Sequence, residues 1–439
     1  MTRGPLTAAL WLAPAALHWV LLALVARIPT PAAARVTDVL FIVALPLTYG
    51  AILGGAVSST SGSRRGLRAA AATLGLILAV GLVELAAAAR LVHWELVFMA
   101  LRGEQQHYMS DADLGFRHAP GARWSGRPRS DVEVAWRLPA SASEPITVTY
   151  DSSGHRNAEE LTRADIALIG DSYVEGTYVS DDEIVSRFLQ ARLGRPVANL
   201  GVAGYGTAQE LIVLERHALP LAPRIVIWFF FEGNDLYNDQ DFENTLSAEW
   251  DARANAWSER SGWWRRSLAR NAHAQLRLVL HPLVPSHCLH FGILAVGPRR
   301  GHRVLFGPEA AVPWTDFERG RWATARETLG RAVRLAREHA MQLLLVYVPM
   351  KYRVYRDLLE LPPHSEVRHW TLWPLPDLFA QFCRAEDLAC LDLTGVLRGS
   401  VRDGGMPYAY VDSHWSREGH QLVALHLEEA LRALGWIGR

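Results

Sequence analysis

Hydrophobic and polar residues form two different patterns in this chain. The first hundred residues contain three long apolar segments, about Leu6 to Ala26, Val36 to Val57 and Leu67 to Ala89. Each is close to the ~20 residues that a helix needs to cross a hydrocarbon core. A buried helical bundle would need polar faces that these segments lack, and a removable signal peptide explains three of them poorly. We therefore predict a bundle of three transmembrane helices within residues 1–102.

Arginines on the two sides of this bundle are equal in number, so their total does not set its orientation. Arg64, Arg65 and Arg68 form a tight cluster in the loop before the third segment, on the same side as the amino terminus. Positive charge in short loops favours the cytoplasmic side. We therefore expect everything after the third segment to be exported.

After residue 102 the pattern becomes polar and interrupted, which is typical of a linker and an N-terminal extension over residues 103–160. Val132 to Trp136 and Ile146 to Tyr150 alternate like edge strands. From residue 161 to 439, short apolar runs alternate with amphipathic segments. This alternation predicts an α/β domain whose parallel sheet is doubly wound, with helices on both faces as three layers. The predicted strands are Ile166–Ile169, Val197–Leu200, Ile225–Phe231, Gln342–Val348 and Cys390–Leu393.

Residues 238–315 interrupt this alternation and are too long for a simple loop, so we interpret them as an insertion. The segment contains Trp257, Trp263 and Trp264 beside several arginines, followed by an apolar run with histidines. An amphipathic lid, a contact with the membrane surface and a helical decoration without a role in function all fit this composition.

Charge and cysteine content narrow the possible functions. The chain has 45 basic and 45 acidic residues, which gives no reason to expect a nucleic-acid partner. Its three cysteines, Cys288, Cys383 and Cys390, fit no zinc spacing. Cys383 and Cys390 are either a disulfide in an oxidising compartment or two buried thiols. We see no metal-ligand pattern, P-loop or dinucleotide fingerprint, and predict neither a metal nor a cofactor.

Polar residues and glycines follow the ends of the first three predicted strands and precede the last helix. The four blocks are Gly170-Asp-Ser172, Gly201-Val-Ala-Gly204-Tyr-Gly206, Glu232-Gly-Asn234-Asp235 and Asp412-Ser-His414. Because the carboxyl ends of parallel strands meet at one edge of a sheet, we expect these blocks to lie together.

In this order, the four blocks resemble the SGNH (GDSL-type) hydrolase superfamily. The resemblance covers about residue 111 to the end. It implies a flavodoxin-like SGNH fold, with Ser172 as the nucleophile and His414 as the base oriented by Asp412. It also implies that the Ser172 N–H, Gly204 and Asn234 form an oxyanion hole. The superfamily usually has two residues between the acid and the histidine, whereas only one intervenes here, as in alginate-acetylation SGNH proteins.

The chemistry expected of these residues also follows from their side chains. A serine hydroxyl becomes a useful nucleophile when an imidazole takes its proton and a carboxylate holds that imidazole in the right tautomer. Donors at Gly204 and Asn234 would stabilise the oxyanion formed on attack. We expect Asp171 to cap the turn after its strand, in a supporting role.

Two flanking stretches, Tyr150 to Arg156 and Tyr347 to Tyr352, look like those of membrane-anchored SGNH proteins of bacterial cell envelopes. The resemblance implies a multi-pass protein of the bacterial cell membrane whose extracytoplasmic enzyme acts on O-acetyl esters of envelope glycan, as a hydrolase or an O-acyltransferase. A membrane-bound acyltransferase or polysaccharide-export proteins would then be its partners. The alternatives are a lipid esterase and a non-catalytic glycan-binding or scaffold subunit of a polysaccharide-export complex.

Overall fold

The computed structural model describes residues 4–58, 63–94, 97–98, 108–141, 143–246, 263, 266–307 and 313–438. The chain divides into two compact units. The first contains Met1–Glu104, Trp136–Pro139 and Ser258–Leu289, and the second contains Gln105–Ala135, Ala140–Trp257 and His290–Arg439. Part of the predicted insertion therefore groups with the apolar N-terminal segments.

The helices of the described chain are numbered in chain order. They are α1 Gly4–Ala26, α2 Pro31–Ser58, α3 Ser63–Ala88, α4 Asp131–Trp136, α5 Ser172–Glu175, α6 Val185–Leu193, α7 Thr207–Val213, α8 Asp235–Leu246, α9 Leu268–Val279, α10 Asp316–Glu338, α11 Lys351–Tyr355, α12 Leu375–Ala385, α13 Thr394–Arg402 and α14 Arg417–Ala433.

The strands are numbered in the same way. They are β1 Tyr108–Asp111, β2 Gly115–His118, β3 Arg123–Gly126, β4 Ile146–Thr149, β5 Ile166–Ile169, β6 Val197–Asn199, β7 Ile225–Phe231, β8 Phe291–Leu294, β9 Arg303–Leu305, β10 Gln342–Val348, β11 Leu359–Glu360 and β12 Ala389–Asp392.

In the N-terminal unit, each of the three apolar segments forms one helix. Within the described residues, two segments are long and apolar enough to cross a membrane, Pro31–Val57 in α2 and Gly66–Ala88 in α3. Helix α1 contributes the shorter apolar segment Leu10–Ala26. The structure therefore supports two candidate spans, rather than clearly three.

Helix α9, from the predicted insertion, belongs to this N-terminal unit and is fixed by polar contacts. Arg277 is buried and donates from Nη1 to Asp38 Oδ1 of α2 at 2.9 Å, with its guanidinium 5.1 Å from the centre of the Phe41 ring. The N-capping Ser267 donates to Glu84 Oε1 of α3 at 3.1 Å. Trp257 and Trp264 of the insertion lie outside the described residues.

The N-terminal extension forms two antiparallel pairs, β1–β2 and β3–β4. Our prediction of an edge strand over Val132–Trp136 was wrong, because these residues form α4. Ser130 Oγ accepts from the Glu133 N–H at 3.0 Å, and the Glu133 carboxylate accepts from the Ser130 N–H at 3.4 Å. This reciprocal cap stabilises a helical first turn, which outweighs the short alternation of apolar residues.

The centre of the second unit is a five-stranded sheet in the order β12-β10-β7-β5-β6, and every pair is parallel. Renumbered by sequence within this sheet, the order is 2-1-3-4-5, the flavodoxin-like arrangement. The predicted α/β class and parallel sheet are therefore confirmed. Strand β5 lies between β6 and β7, so the loops after these three strands are neighbours at the carboxyl edge.

The continuous apolar runs in the sequence arise because both faces of this sheet are covered. All seven residues of β7 are buried. One face packs with α6, α13 and α14, and includes Ile227, Phe229 and Phe231. The other packs with α7, α10 and α12, and includes Val226, Trp228 and Phe230.

Two smaller features complete this unit. Strands β11, β8 and β9 form an antiparallel sheet in that order. Cys383 of α12 and Cys390 of β12 form a disulfide, which is one of the two states that the sequence left open.

Candidate active site

The loop after β5 connects this buried strand to the short helix α5, which begins at Ser172. A Cβ atom on Gly170 would lie 2.6 Å from Val174 Cγ2 and 3.1 Å from Phe229 Cβ, so this tight turn needs glycine. Asp171 caps α5 by accepting from the Tyr173 N–H at 2.9 Å. Burial raises the pKa of Asp171 to about 6, although the Tyr173 N–H and the charge of His414 oppose the rise.

A continuous series of hydrogen bonds joins Ser172 to residues about 240 positions later in the chain. Ser172 Oγ lies 2.8 Å from His414 Nε2, and His414 Nδ1 lies 2.6 Å from Asp412 Oδ1. With the proton on Nδ1, the imidazole donates to Asp412 and accepts from the serine hydroxyl. The arrangement is suited to transferring a proton from Ser172 to His414.

The short spacing between Asp412 and His414 is accommodated by a local turn. Asp412 Oδ1 accepts both from the main-chain N–H of His414, at 2.9 Å, and from its imidazole. An aspartate commonly accepts from the backbone two residues later, so one intervening residue is enough. Burial would raise the pKa of Asp412, but the charge and hydrogen bonds of His414, together with hydrogen bonding to Asp131, hold it well below its usual range.

Asp131, which the sequence analysis missed, supports this turn from the N-terminal extension. Its N–H donates to Asp412 Oδ2 at 2.9 Å, and its Oδ1 accepts from the Ser413 N–H at 3.0 Å. Ser413 Oγ also donates to Asp131 Oδ2. The sequence signal that could have located α4 was the Ser130-x-x-Glu133 capping pattern, but no local pattern predicts its contact with residue 412.

The two expected oxyanion residues follow the strands on either side of β5. Gly204 follows β6 and has a φ of +85°, which favours glycine. Asn234 follows β7, and its main-chain oxygen accepts from the Tyr237 and Asn238 N–H groups at the start of α8. Asn234 Oδ1 is buried and has no hydrogen-bond partner among the described residues. The side chain is therefore not held as a turn residue through its oxygen.

Behind the Gly204 loop lies a buried carboxylate that the sequence analysis also missed. Glu175, at the end of α5, accepts from the Tyr150 hydroxyl at 2.7 Å and from the Ala203 N–H at 2.5 Å, and lies 3.1 Å from His118 Nε2. Burial alone would raise the pKa of Glu175, but the charge of His118 and these hydrogen bonds lower it to about 2. Glu175 thus connects α5, the Gly204 loop and the N-terminal extension.

Among the described residues, Asp131, Asp412 and His414 form a group whose potential metal-ligand atoms lie within 4.8 Å of one another. Both oxygens of Asp412 and Nδ1 of His414 already take part in hydrogen bonds within this group. These contacts favour proton transfer over metal binding as the role of the group.

Residues 168–422, more than half of the chain, match the family model of the GDSL-like lipase/acylhydrolase family. The chain belongs to this family. The region matched by the GDSL-like model contains Ser172, Gly204, Asn234, Asp412 and His414. Asp131 lies outside it, in the N-terminal extension.

Solved structures similar to this GDSL-like chain have low sequence identity to it. A lipolytic protein of the G-D-S-L family from Desulfitobacterium hafniense is 13% identical with a TM-score of 0.33, and the match covers 61% of this chain and 98% of that one. The lipase/acylhydrolase from Enterococcus faecalis is 16% identical with a TM-score of 0.31, and the match covers 61% of this chain and 95% of that one. An acetyl xylan esterase is 11% identical with a TM-score of 0.34, and the match covers 61% of this chain and 98% of that one. No curated protein matches the chain.

Proposed function

We propose that this protein is an acyl-transfer enzyme in which Ser172, His414 and Asp412 are the catalytic triad. The observation that carries the proposal is the pair of contacts from Ser172 Oγ to His414 Nε2, 2.8 Å, and from His414 Nδ1 to Asp412 Oδ1, 2.6 Å. Membership of the GDSL-like lipase/acylhydrolase family supports the same reaction class.

In this mechanism, Ser172 Oγ attacks the ester carbonyl carbon while its proton passes to His414 Nε2. The imidazolium is stabilised by the Asp412 carboxylate, whose depressed pKa keeps it ionised at neutral pH. The oxyanion accepts hydrogen bonds from the Ser172 N–H, the Gly204 N–H and the Asn234 side-chain amide. His414 then protonates the alkoxide leaving group, and the acyl group remains on Ser172 until a hydroxyl acceptor, deprotonated by His414, removes it.

The proposal also extends to the acyl group, the substrate and the acceptor of the reaction. We assign the acyl group as acetyl and the substrate as an O-acetylated envelope glycan, with water or a sugar hydroxyl as acceptor. A lipid ester is the second candidate, because the two candidate spans in α2 and α3 would anchor the enzyme at a bilayer.

We further propose that α1 crosses the membrane with α2 and α3, and that the second unit is extracytoplasmic. Arg64, Arg65 and Arg68 at the start of α3 favour a cytoplasmic position for that end. The disulfide between Cys383 and Cys390 is the state expected in an oxidising compartment. A reporter fused after Arg439 should be active only in the extracytoplasmic compartment, and a cytoplasmic readout would refute this orientation.

The triad is tested by labelling the full-length protein in detergent with a serine-directed fluorophosphonate. The probe should modify Ser172 in the wild type, as located by peptide mass spectrometry, and should leave Ser172→Ala unmodified. Ser152→Ala, which replaces an exposed serine, is the matched control and should label like the wild type. Equal, negligible labelling of the wild type and Ser172→Ala would remove the enzyme assignment and favour a non-catalytic scaffold.

The substrate is tested with three acyl donors: p-nitrophenyl acetate, an acetylated xylo-oligosaccharide and a diacylglycerol ester in mixed micelles. Release of free acetate from the oligosaccharide identifies a hydrolase. Transfer of isotopically labelled acetyl to an unacetylated oligosaccharide identifies an O-acyltransferase. Turnover of the lipid ester alone would reject the glycan assignment.

A further inference from the structure

Lys351, the only lysine of the chain, is buried beneath the turn that contains Asp412 and His414. Its Nζ donates to the main-chain oxygens of Ala409 at 2.7 Å, Tyr410 at 3.1 Å and Asp412 at 3.0 Å. A lysine ammonium has three N–H donors. These three carbonyl groups lie within four consecutive residues, and each accepts a hydrogen bond from the ammonium.

The convergence of these carbonyl groups has an electrostatic cost. Three carbonyl oxygens that point at one position bring their negative ends together. A buried ammonium in turn needs hydrogen-bond acceptors to replace its hydration. Each group thus stabilises the other, and the backbone from Ala409 to Asp412 is held in one conformation by Lys351.

That conformation determines where the proposed acid and base lie. Asp412 contributes its main-chain oxygen to Lys351 and its side-chain Oδ1 to His414, whose imidazole reaches Ser172. The Ala409 N–H also donates to the His414 main-chain oxygen at 2.9 Å, so the turn closes on itself. A shift of the peptide at Asp412 would therefore move both the carboxylate and the imidazole.

We propose that Lys351 is a positioning residue for the reaction, and that its ammonium fixes the backbone conformation in which Asp412 orients His414. The proposal rests on the catalytic roles proposed for Asp412 and His414. Lys351 Nζ donates to main-chain oxygens of the turn that contains Asp412. Its effect is exerted through the carbonyl oxygens of the turn.

The decisive variant is Lys351→Met, which has a similar length and an apolar end. We expect kcat for p-nitrophenyl acetate to fall about 10- to 100-fold with KM nearly unchanged, because small displacements of catalytic groups cost up to about 10²-fold. Arg398→Met is the matched control. Arg398 also donates to main-chain oxygens, those of Arg353 at 2.8 Å and Val354 at 3.3 Å, but these belong to α11 and not to the turn that contains Asp412. It should keep the wild-type kcat.

A second measurement does not depend on turnover. The proton between His414 Nδ1 and Asp412 Oδ1, which are 2.6 Å apart, should give a strongly downfield 1H resonance in the full-length protein. Asp412→Asn identifies this resonance by abolishing it. It should be retained in Arg398→Met and lost or shifted in Lys351→Met.

Chemical rescue separates hydrogen bonding from general instability. Lys351→Ala lacks the three carbons and the nitrogen of n-propylammonium, which should restore both the resonance and kcat when added. Tetramethylammonium is a cation without N–H donors and should not restore them. n-Propanol, which is neutral, should also fail.

The experiments on Lys351 can fail or succeed independently of the proposed enzymatic function. Loss of fluorophosphonate labelling in the wild type would remove the enzyme assignment, whereas the downfield resonance would still report on Lys351. Retention of the resonance and of kcat in Lys351→Met would overturn the positioning role, as would absence of the resonance from the wild type. Equal losses in Lys351→Met and Arg398→Met, without rescue by n-propylammonium, would also overturn it.

Discussion

Replacing Glu175 with glutamine should destabilise the second unit through a defined set of buried contacts. Glu175 is 2% exposed, and its two oxygens accept from the Tyr150 hydroxyl and the Ala203 N–H beside His118. Glutamine has nearly the same volume, but one accepting oxygen becomes an NH2 donor. One of the surrounding donors therefore loses its acceptor, and His118 loses a neighbouring negative charge.

The magnitude follows from the pKa of this carboxyl. Contacts in the folded protein lower the pKa of Glu175 from 4.5 to about 2, in spite of burial. At ~1.36 kcal/mol per pKa unit, this difference corresponds to about 3 kcal/mol. Leaving a buried donor without an acceptor also costs about 1–3 kcal/mol. We expect Glu175→Gln to lower the free energy of unfolding by about 3 kcal/mol at pH 7.

The pH dependence has a definite sign. Because the folded pKa lies below the unfolded one, the stabilisation is fully present above about pH 4.5 and is lost as the pH falls towards about 2. The difference between the wild type and Glu175→Gln should therefore be constant from pH 5 to 7 and should shrink below pH 4.5. Fluorophosphonate labelling of Ser172 should also slow, because the Ala203 N–H anchors the loop that contains Gly204.

The assay is urea unfolding of the full-length protein in detergent, followed by tryptophan fluorescence at several pH values. Glu386→Gln is the control, since Glu386 is more exposed and lies 3.7 Å from Arg337 on the surface. Exposed pairs of this kind contribute about 0–1 kcal/mol. The reasoning is refuted if both variants lose equal stability at pH 7, or if the Glu175→Gln difference persists unchanged at pH 3.

Three further predictions concern other parts of the second unit. Gly201→Ala should prevent stable folding or Ser172 labelling, because its Cβ would lie 2.5 Å from the Glu175 main-chain nitrogen. Expression measures this, with Gly320→Ala as control, since a Cβ there would meet nothing within 4 Å. Burial lowers the pKa of His155 and of His420 to about 3. Because these histidines take up protons in the unfolded chain first, the free energy of unfolding should fall below about pH 6.5, by up to about 1.4 kcal/mol per pH unit for each histidine. His155→Gln should reduce this slope in urea titrations. Asn234→Ala should lower kcat about 10²–10³-fold with an unchanged melting temperature, and an unchanged kcat would exclude an oxyanion role.

Most of the central sheet could be predicted from the sequence because β5, β6, β7 and β10 are buried along nearly their whole length. Continuous apolar runs such as Ile225–Phe231 are rare outside such an environment, and they locate the strands within one or two residues. The same pattern places Ser172 and Asn234 at strand ends. A buried strand can therefore be located in the sequence, and so can the residues that follow its end.

Short polar-apolar alternation was less informative. Val132–Trp136 alternates like a strand, yet the contacts between Ser130 and Glu133 make it a helix. A five-residue pattern contains too little free energy of burial to outweigh a reciprocal cap of about 1 kcal/mol per interaction.

The residues that support the site could not be predicted, because their partners are distant in the chain. The contact between Asp131 and Asp412 spans 281 positions, and that between Lys351 and Asp412 spans 61. Neither contact can be inferred from a periodic pattern of neighbouring residues. Lys351 did carry one signal, its uniqueness among 45 basic residues, but uniqueness alone does not indicate which atoms a side chain contacts.

The grouping of Ser258–Leu289 with the N-terminal unit has a practical consequence for studying the enzyme. A fragment that starts after residue 104 still contains α9 but lacks Asp38 and Glu84, to which Arg277 and Ser267 are bonded. Its exposed Val279 and the freed apolar side chains around Leu276 would favour aggregation. A soluble fragment of the second unit should therefore lack residues 258–289 as well as the apolar helices.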